Sequence, residues 1–371
     1  MFIETVILHH LRMPLKSPFE TSFGRVFNRD CVLLEVLSDG LSGYGECVAD
    51  WDPGYSYETV STSWVVLLEF MLPQVVGREV KDIEHLQQIL GNIKGHNMAK
   101  ASLEMAFWDL IGKRTGHSLA TLLGGHRKSV EVGVSIGIQD SSVDLIKTVS
   151  SFLHDGYRRI KLKIKPGRDV QDVSSVRKEF PNIVLQVDAN SAYNLDTAEA
   201  LLPLDQMDLL LIEQPLAEDD LWDHHKLQQK FVTPICLDES ITHPRHARQA
   251  LEMDACRIIN IKPGRVGGVS QGVKIHNFCE SANVPVWCGG MLETGVGRAA
   301  NLALASLSNF KLPGDISATA RYYDADITNE IFSLNPDSTI DVPSGAGLGI
   351  TIEKKRVETY AVRKETFHSE S

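Results

Sequence analysis

From about residue 159 onward, short apolar runs end in a charged residue at a nearly fixed interval. No other feature constrains the fold of this chain so tightly. RIKLK ends at Lys163, VLQVD at Asp188, LLLIE at Glu213, PICLD at Asp238 and IINIK at Lys262, so successive ends are 25, 25, 25 and 24 residues apart. Helix-like stretches such as DVQDVSSVRKEF, LDTAEALLPL and HPRHARQALEM lie between the runs. A fixed period of this size marks one repeated supersecondary unit, here a buried parallel strand followed by an amphipathic helix. The frame extends backward to VEVGVSIG at 130–137 and forward to PVWCGG at 285–290 and LPGDIS at 312–317. Eight β-like runs with helical connections predict a (β/α)8-type barrel. An open doubly wound sheet would also alternate strand and helix. The even spacing favours the barrel, as does the lack of a Gly-rich phosphate fingerprint after the first strand.

The first 125 residues follow a different pattern. An opening strand over 2–10 and a strand pair turning at Ser38-Asp39-Gly40 predict an antiparallel sheet. Helical patterns follow near 56–72, 82–93 and 98–113, and Gly124-Gly125 closes the unit. The segment SPFETSFGRVFNRD (17–30) reads as a loop, either covering a site or simply connecting strands. The stretch after 320 is too short for a domain and is expected to return onto the N-terminal unit. The expected organisation is an α+β unit over 1–125, a barrel over 126–320 and a C-terminal segment over 321–371.

Composition excludes several alternatives. The net charge of −11, with no Lys/Arg block, argues against a nucleic-acid or anionic-membrane partner. No run of eighteen apolar residues predicts a membrane span, and MFIETVILHHLRMPL reads as a strand rather than a signal peptide. The six cysteines form no C-x-x-C pair and read as buried free thiols of a cytoplasmic protein. The thirteen histidines show no H-x-x-x-H spacing, so any metal must be held by oxygen.

Catalytic groups of a barrel stand at the C-terminal ends of its strands, which is where the five charged residues fall. Strand alternation puts Lys161 with Lys163, Gln186 with Asp188 and Asn190, and Asn260 with Lys262 on inward faces; Leu162, Val187 and Ile261 then face the helices. Counting 130–137 as the first strand, Lys163 and Lys262 stand on opposed strands, two and six. Asp188, Glu213 and Asp238 lie on the arc between them. Structural ion pairs would explain one such acid. Three carboxylates facing one cavity repel one another unless a cation sits there, and all-oxygen ligation suits Mg²⁺ or Mn²⁺. Two lysines flanking such a metal suit abstraction of a proton α to a carboxylate, with the metal and an ammonium stabilising the enediolate-like charge. A lysine base needs a lowered pKa, which a cationic neighbour supplies. Lys161 stands in that relation to Lys163, and Arg265 to Lys262 unless it pairs with a strand-end acid.

K-x-K at 161–163, the Asp188/Glu213/Asp238 triad and the lysine of NIKPGRVGG (260–268) resemble the enolase superfamily, specifically its muconate-lactonising-enzyme-like subgroup. LIEQPL (211–216), PICLDES (234–240), IINIKPGRVGG (258–268) and WCGGMLETGVGRAANLALAS (287–306) resemble most the branch containing o-succinylbenzoate synthases and N-succinylamino acid racemases. The resemblance spans essentially the whole chain. It implies an α/β fold: a modified (β/α)7β TIM barrel with an N-terminal α+β capping domain completed by the C-terminal segment. It also implies Mg²⁺ or Mn²⁺ at Asp188, Glu213 and Asp238. Lys163 would be general base and acid in dehydration, with Lys262 stabilising the enediolate; both lysines would exchange protons in racemisation. The 17–30 loop becomes a specificity lid, placing Phe19 and Phe23 in the pocket. Ser135, Lys161, Asn190 and Met291 are further expected substrate contacts. The leading expectation is dehydration of 2-succinyl-6-hydroxy-2,4-cyclohexadiene-1-carboxylate to 2-succinylbenzoate for menaquinone synthesis. Racemisation of N-succinylamino acids at the same site is the alternative, and muconate cycloisomerisation a more distant one. The expected partners are a small-molecule carboxylate substrate and further copies of the chain in a homo-oligomer.

Overall fold

The computed structural model describes residues 1–368. Alternating apolar positions at the N-terminus build three antiparallel strands, β1 (Thr5–Thr21), β2 (Gly24–Ser38) and β3 (Leu41–Cys47). The rest of the strands are β4 (Ser129–Glu131), β5 (Val134–Ile136), β6 (Arg159–Lys163), β7 (Val184–Asp188), β8 (Ile212–Glu213), β9 (Ile235–Leu237), β10 (Ile258–Ile261), β11 (Val286–Cys288), β12 (Thr339–Asp341) and β13 (Ala361–His368). Strands β5 to β11 form one parallel seven-stranded sheet in chain order, curled into a barrel. β13 returns to pair antiparallel with β1, so the N-terminal sheet has the order β13-β1-β2-β3.

Three expectations are corrected. First, residues 17–30 are not a loop. β1 runs on to Thr21 and β2 starts at Gly24, so the segment is the far end of a long hairpin with Phe19 opposite Val26 and Glu20 opposite Arg25. The proline-containing stretch is absorbed by an irregularity between Pro14 and Phe19, where a missing N–H costs the ladder nothing. Second, 130–137 is two strands: β4 pairs antiparallel with β12, and only β5 joins the barrel. They part at Gly133, where a Cβ would stand 2.4 Å from the Arg159 guanidinium. Third, LPGDIS forms no named strand. Backbone bonds from Lys311 to Val286, from Asp315 to Cys288 and from Gly133 to Gly314 nevertheless tie it between β11 and β5, closing the barrel irregularly. Pro313 lacks a donor, which interrupts a regular ladder there. Similarly, LDTAEALLPL folds as a 3-10 helix over Thr197–Gln206, with Pro203 inside it.

Two apolar cores organise the molecule. One lies between the N-terminal sheet and its helices and includes Val6, Leu8, Leu34, Val36, Trp64 and Phe107. The other joins Leu162, Val187 and Ile261 to the barrel helices and takes in Leu11, Met13 and Leu33 from the far face of the sheet. The helix Asn97–Thr115 is buried on most of its surface and packs on β3. Gly45 permits that approach, since a Cβ there would lie 1.9 Å from the Ser102 carbonyl oxygen.

Candidate active site

Inward positions of the barrel change character along the strands. Leu211, Cys236, Ile258 and Trp287 form a small apolar cluster. Two positions further along the same inward columns stand Glu213, Asp238 and Asn260, and two beyond Asn260 stands Lys262. Period-two alternation therefore puts the charged groups above an apolar floor. Parallel register sets their level: Lys163 lies opposite Asp188, and Asp188 opposite Glu213.

Asp188, Glu213 and Asp238 are fully buried. One carboxylate oxygen from each lies within 4.8 Å of the others. Three hard oxygen donors converging without solvent access fit a divalent cation. Each is also held by at least one cation. Lys163 Nζ donates to Asp188 Oδ2 at 2.6 Å and to Asn190 Oδ1 at 2.7 Å. Lys161 Nζ lies 2.9 Å from Glu213, 3.1 Å from Asp188 and 2.6 Å from Asp315. Asn260 Nδ2 donates to Glu213 Oε1 at 2.8 Å. Lys262 Nζ donates to Asp238 Oδ2 at 2.8 Å.

The two expected base lysines are electrostatically unlike. Burial lowers the pKa of Lys163; Asp188 opposes this, Lys161 adds to the lowering, and the result is below the ordinary lysine value. Burial also acts downward on Lys262, but Tyr55, Glu213 and Glu239 outweigh it and hold that pKa above the ordinary value. Burial raises Asp188, yet Lys163 and Lys161 prevail and keep it below the usual carboxylate range. Glu213 is pushed upward by burial and then by Asp188.

Arg265 does not bring Lys262 below the ordinary lysine value. Its guanidinium pairs with Asp238, and Nε and Nη2 donate to the carbonyls of Ile241 and Asn260. The turn after Lys262 carries it to the flank of the triad, the acid-pairing alternative.

A cavity of about 210 Å³ opens above these groups. Ser135, Lys161, Lys163, Asn190, Lys262 and Met291 border it, as do Phe19 and Phe23 from the hairpin. Lys161 reaches the cavity, but its ammonium is engaged by three carboxylates. Ser135 Oγ is buried without a hydrogen-bond partner.

Several bordering residues escaped the sequence reading. Tyr55 is the most consequential: its hydroxyl lies 3.1 Å from Lys262 Nζ and 3.0 Å from Asp238 Oδ1, and Lys262 Nζ sits 4.4 Å above its ring centre. Trp51 borders the same space. The aromatic run WDPGYSY (51–57) was the available signal. Asp315 also went unnoticed; it pairs with Arg159 at 2.6 Å as well as with Lys161. Its strand-like run had no charged end in the 25-residue frame. Glu239 directly follows Asp238, and no spacing signal sets it apart.

Comparison with known proteins agrees with this geometry. Residues 3–124 match the family model described as mandelate racemase / muconate lactonizing enzyme, N-terminal domain, and residues 144–356 match that described as enolase C-terminal domain-like. The chain is 49% identical to an o-succinylbenzoate synthase of Geobacillus kaustophilus over 99% of this chain and 98% of that one. It is 48% identical to an N-succinylamino acid racemase of Thermus thermophilus, covering 96% and 97% of the two chains. A solved enolase-superfamily protein from Listeria innocua superimposes with a TM-score of 0.94 at 41% identity, covering 99% of both chains.

Proposed function

This chain belongs to the mandelate racemase and muconate lactonizing enzyme family of the enolase superfamily, and from that premise we propose that it is an o-succinylbenzoate synthase. The observation that carries the reading is one buried triad of carboxylates flanked by two lysines that border a single cavity. Asp188, Glu213 and Asp238 would hold Mg²⁺ or Mn²⁺, which would supply Lewis-acid stabilisation to a substrate carboxylate losing its α-proton. Lys163 Nζ, in its neutral form, takes that proton. The ammonium so formed then delivers a proton to the departing hydroxide on the same face, and water leaves as the ring becomes aromatic. Lys262 remains an ammonium and stabilises negative charge. The opposite displacement of the two lysine pKa values supports this division of labour. Dehydration needs one lysine to cycle, and the other serves best as a fixed cation.

N-succinylamino acid racemisation is the second reading. It is favoured by the Thermus thermophilus relative, and it begins with the same proton abstraction. We place the main reaction in menaquinone biosynthesis. A cytoplasmic location is supported by six buried cysteines that are all free thiols. No helix among the described residues is long and apolar enough to cross a membrane. The test is a side-by-side assay of dehydration and racemisation on the purified protein with Mg²⁺. Efficient dehydration is expected; racemisation without dehydration would overturn the main reading in favour of the second.

A further inference from the structure

We propose that Glu239 is a positioning residue that fixes the Asn190 amide with its oxygen toward Lys163 and so aims the lysine's lone pair into the cavity. The proposal rests on the reading of Lys163 as the base. A neutral lysine amine carries two N–H bonds and one lone pair. In this site Asp188 Oδ2 and Asn190 Oδ1 accept from Lys163 Nζ at 2.6 and 2.7 Å. With both hydrogens engaged, the lone pair is left the remaining direction, and Lys163 borders the cavity. That geometry requires Asn190 to present its acceptor end.

An amide has a donor end and an acceptor end, and nothing in its shape chooses between them. Glu239 makes the choice. It is buried directly after Asp238, and its Oε1 accepts from Asn190 Nδ2 at 2.8 Å. Reversing the amide would set its oxygen against the Glu239 carboxylate and its NH₂ against the lysine nitrogen. The first contact is unfavourable in a buried site; the second repels the ammonium and, in the neutral amine, ties up the lone pair that the reaction needs. The main chain supports the same arrangement: Asn190 N donates to Asp188 Oδ1 at 3.0 Å, and Asn190 and Ser191 take left-handed φ values of 44° and 60°. The order is therefore Glu239 to Asn190 to Lys163, with Glu239 itself touching neither substrate nor reacting atoms.

The experiment follows α-deuterium exchange from each enantiomer of N-succinylphenylalanine in D₂O with Mg²⁺, beside the dehydration rate. Lys163→Ala and Lys262→Ala identify which enantiomer reports on which lysine. Glu239→Met, of similar length without a carboxylate, should lower Lys163-face exchange and dehydration tenfold or more. KM and the Mg²⁺ activation constant should change less than threefold, and Lys262-face exchange should not fall, because losing a carboxylate that holds Lys262 charged favours its neutral form. Glu239→Gln offers Asn190 either end of its own amide and should recover only part of the loss. In an Asn190→Leu background, Glu239→Met should add nothing. If Glu239→Met does not fold, Glu239→Ala carries the same comparisons. Equal losses on both faces, or losses that multiply with Asn190→Leu, would overturn the proposal alone. Exchange and dehydration undiminished in Lys163→Ala would overturn the reading beneath it, and the proposal with it.

Discussion

Replacing each lysine by arginine separates a base from a fixed charge. Guanidinium keeps the positive charge but does not give up its proton near neutrality. At pH 8 an ordinary lysine is neutral to about one part in 250, and an arginine to at most about one part in 30,000. Loss of available base alone is therefore roughly a hundredfold. Lys163 starts below the ordinary lysine value, which widens the gap. Its side chain is 8% exposed and already bonded to Asp188 and Asn190, so an arginine there retains acceptors for its charge. Lys262 is held in its charged form beside Asp238 and Tyr55, and Lys262→Arg preserves that charge. Dehydration should fall at least a hundredfold in Lys163→Arg and about tenfold in Lys262→Arg. The assay is the appearance of the aromatic product, with Mg²⁺ affinity and melting temperature as controls for the fold. The sign of the pH dependence follows from the same chemistry. A lysine base must be neutral, so the wild-type rate rises with pH along a limb whose midpoint lies below 10.5, and that limb should vanish in Lys163→Arg. Equal losses in the two variants, or a larger loss in Lys262→Arg, would refute the assignment.

Chelation should abolish activity and Mg²⁺ or Mn²⁺ should restore it; Glu213→Gln should abolish the rise in melting temperature that the metal gives wild type, and activity undiminished in chelator would remove the metal from the reaction. Ser135→Ala deletes a buried hydroxyl that has no partner, so melting temperature should hold while KM rises severalfold; an unchanged KM would mean that Ser135 does not touch substrate. Glu46 accepts from Thr294 N at 3.1 Å, Thr294 Oγ1 at 2.6 Å and Gly297 N at 2.9 Å, at the start of the helix Gly295–Ala305. Glu46→Ala strands those donors at about 1 kcal/mol or more each, so stability should fall by roughly 3 kcal/mol in denaturant titration, and a loss under 1 kcal/mol would show that water replaces the carboxylate.

The barrel and its charged rim were legible in the sequence because both depend on short-range periodicity. A strand buried on both faces must be apolar throughout, and its inward residues recur every second position. A repeated strand–helix unit then places each strand end at nearly the same level. Lys163, Asp188, Glu213, Asp238 and Lys262 could therefore be assigned to one rim from spacing alone. What the tertiary structure decided lies wherever the pattern breaks or the partner is distant in sequence. The hairpin end at 17–30 carries turn-like residues, and only pairing across β1 and β2 makes it a strand. LPGDIS closes the barrel through backbone bonds to two strands that flank a gap no local pattern reveals. Tyr55 reaches Lys262 across 207 positions, and Arg265 pairs with Asp238, the same carboxylate that accepts from Lys262. Sequence spacing gives the side of a strand on which a residue stands. The direction of a long side chain is chosen by the charges that surround it in space, and those charges come from other strands and from the capping sheet's loops.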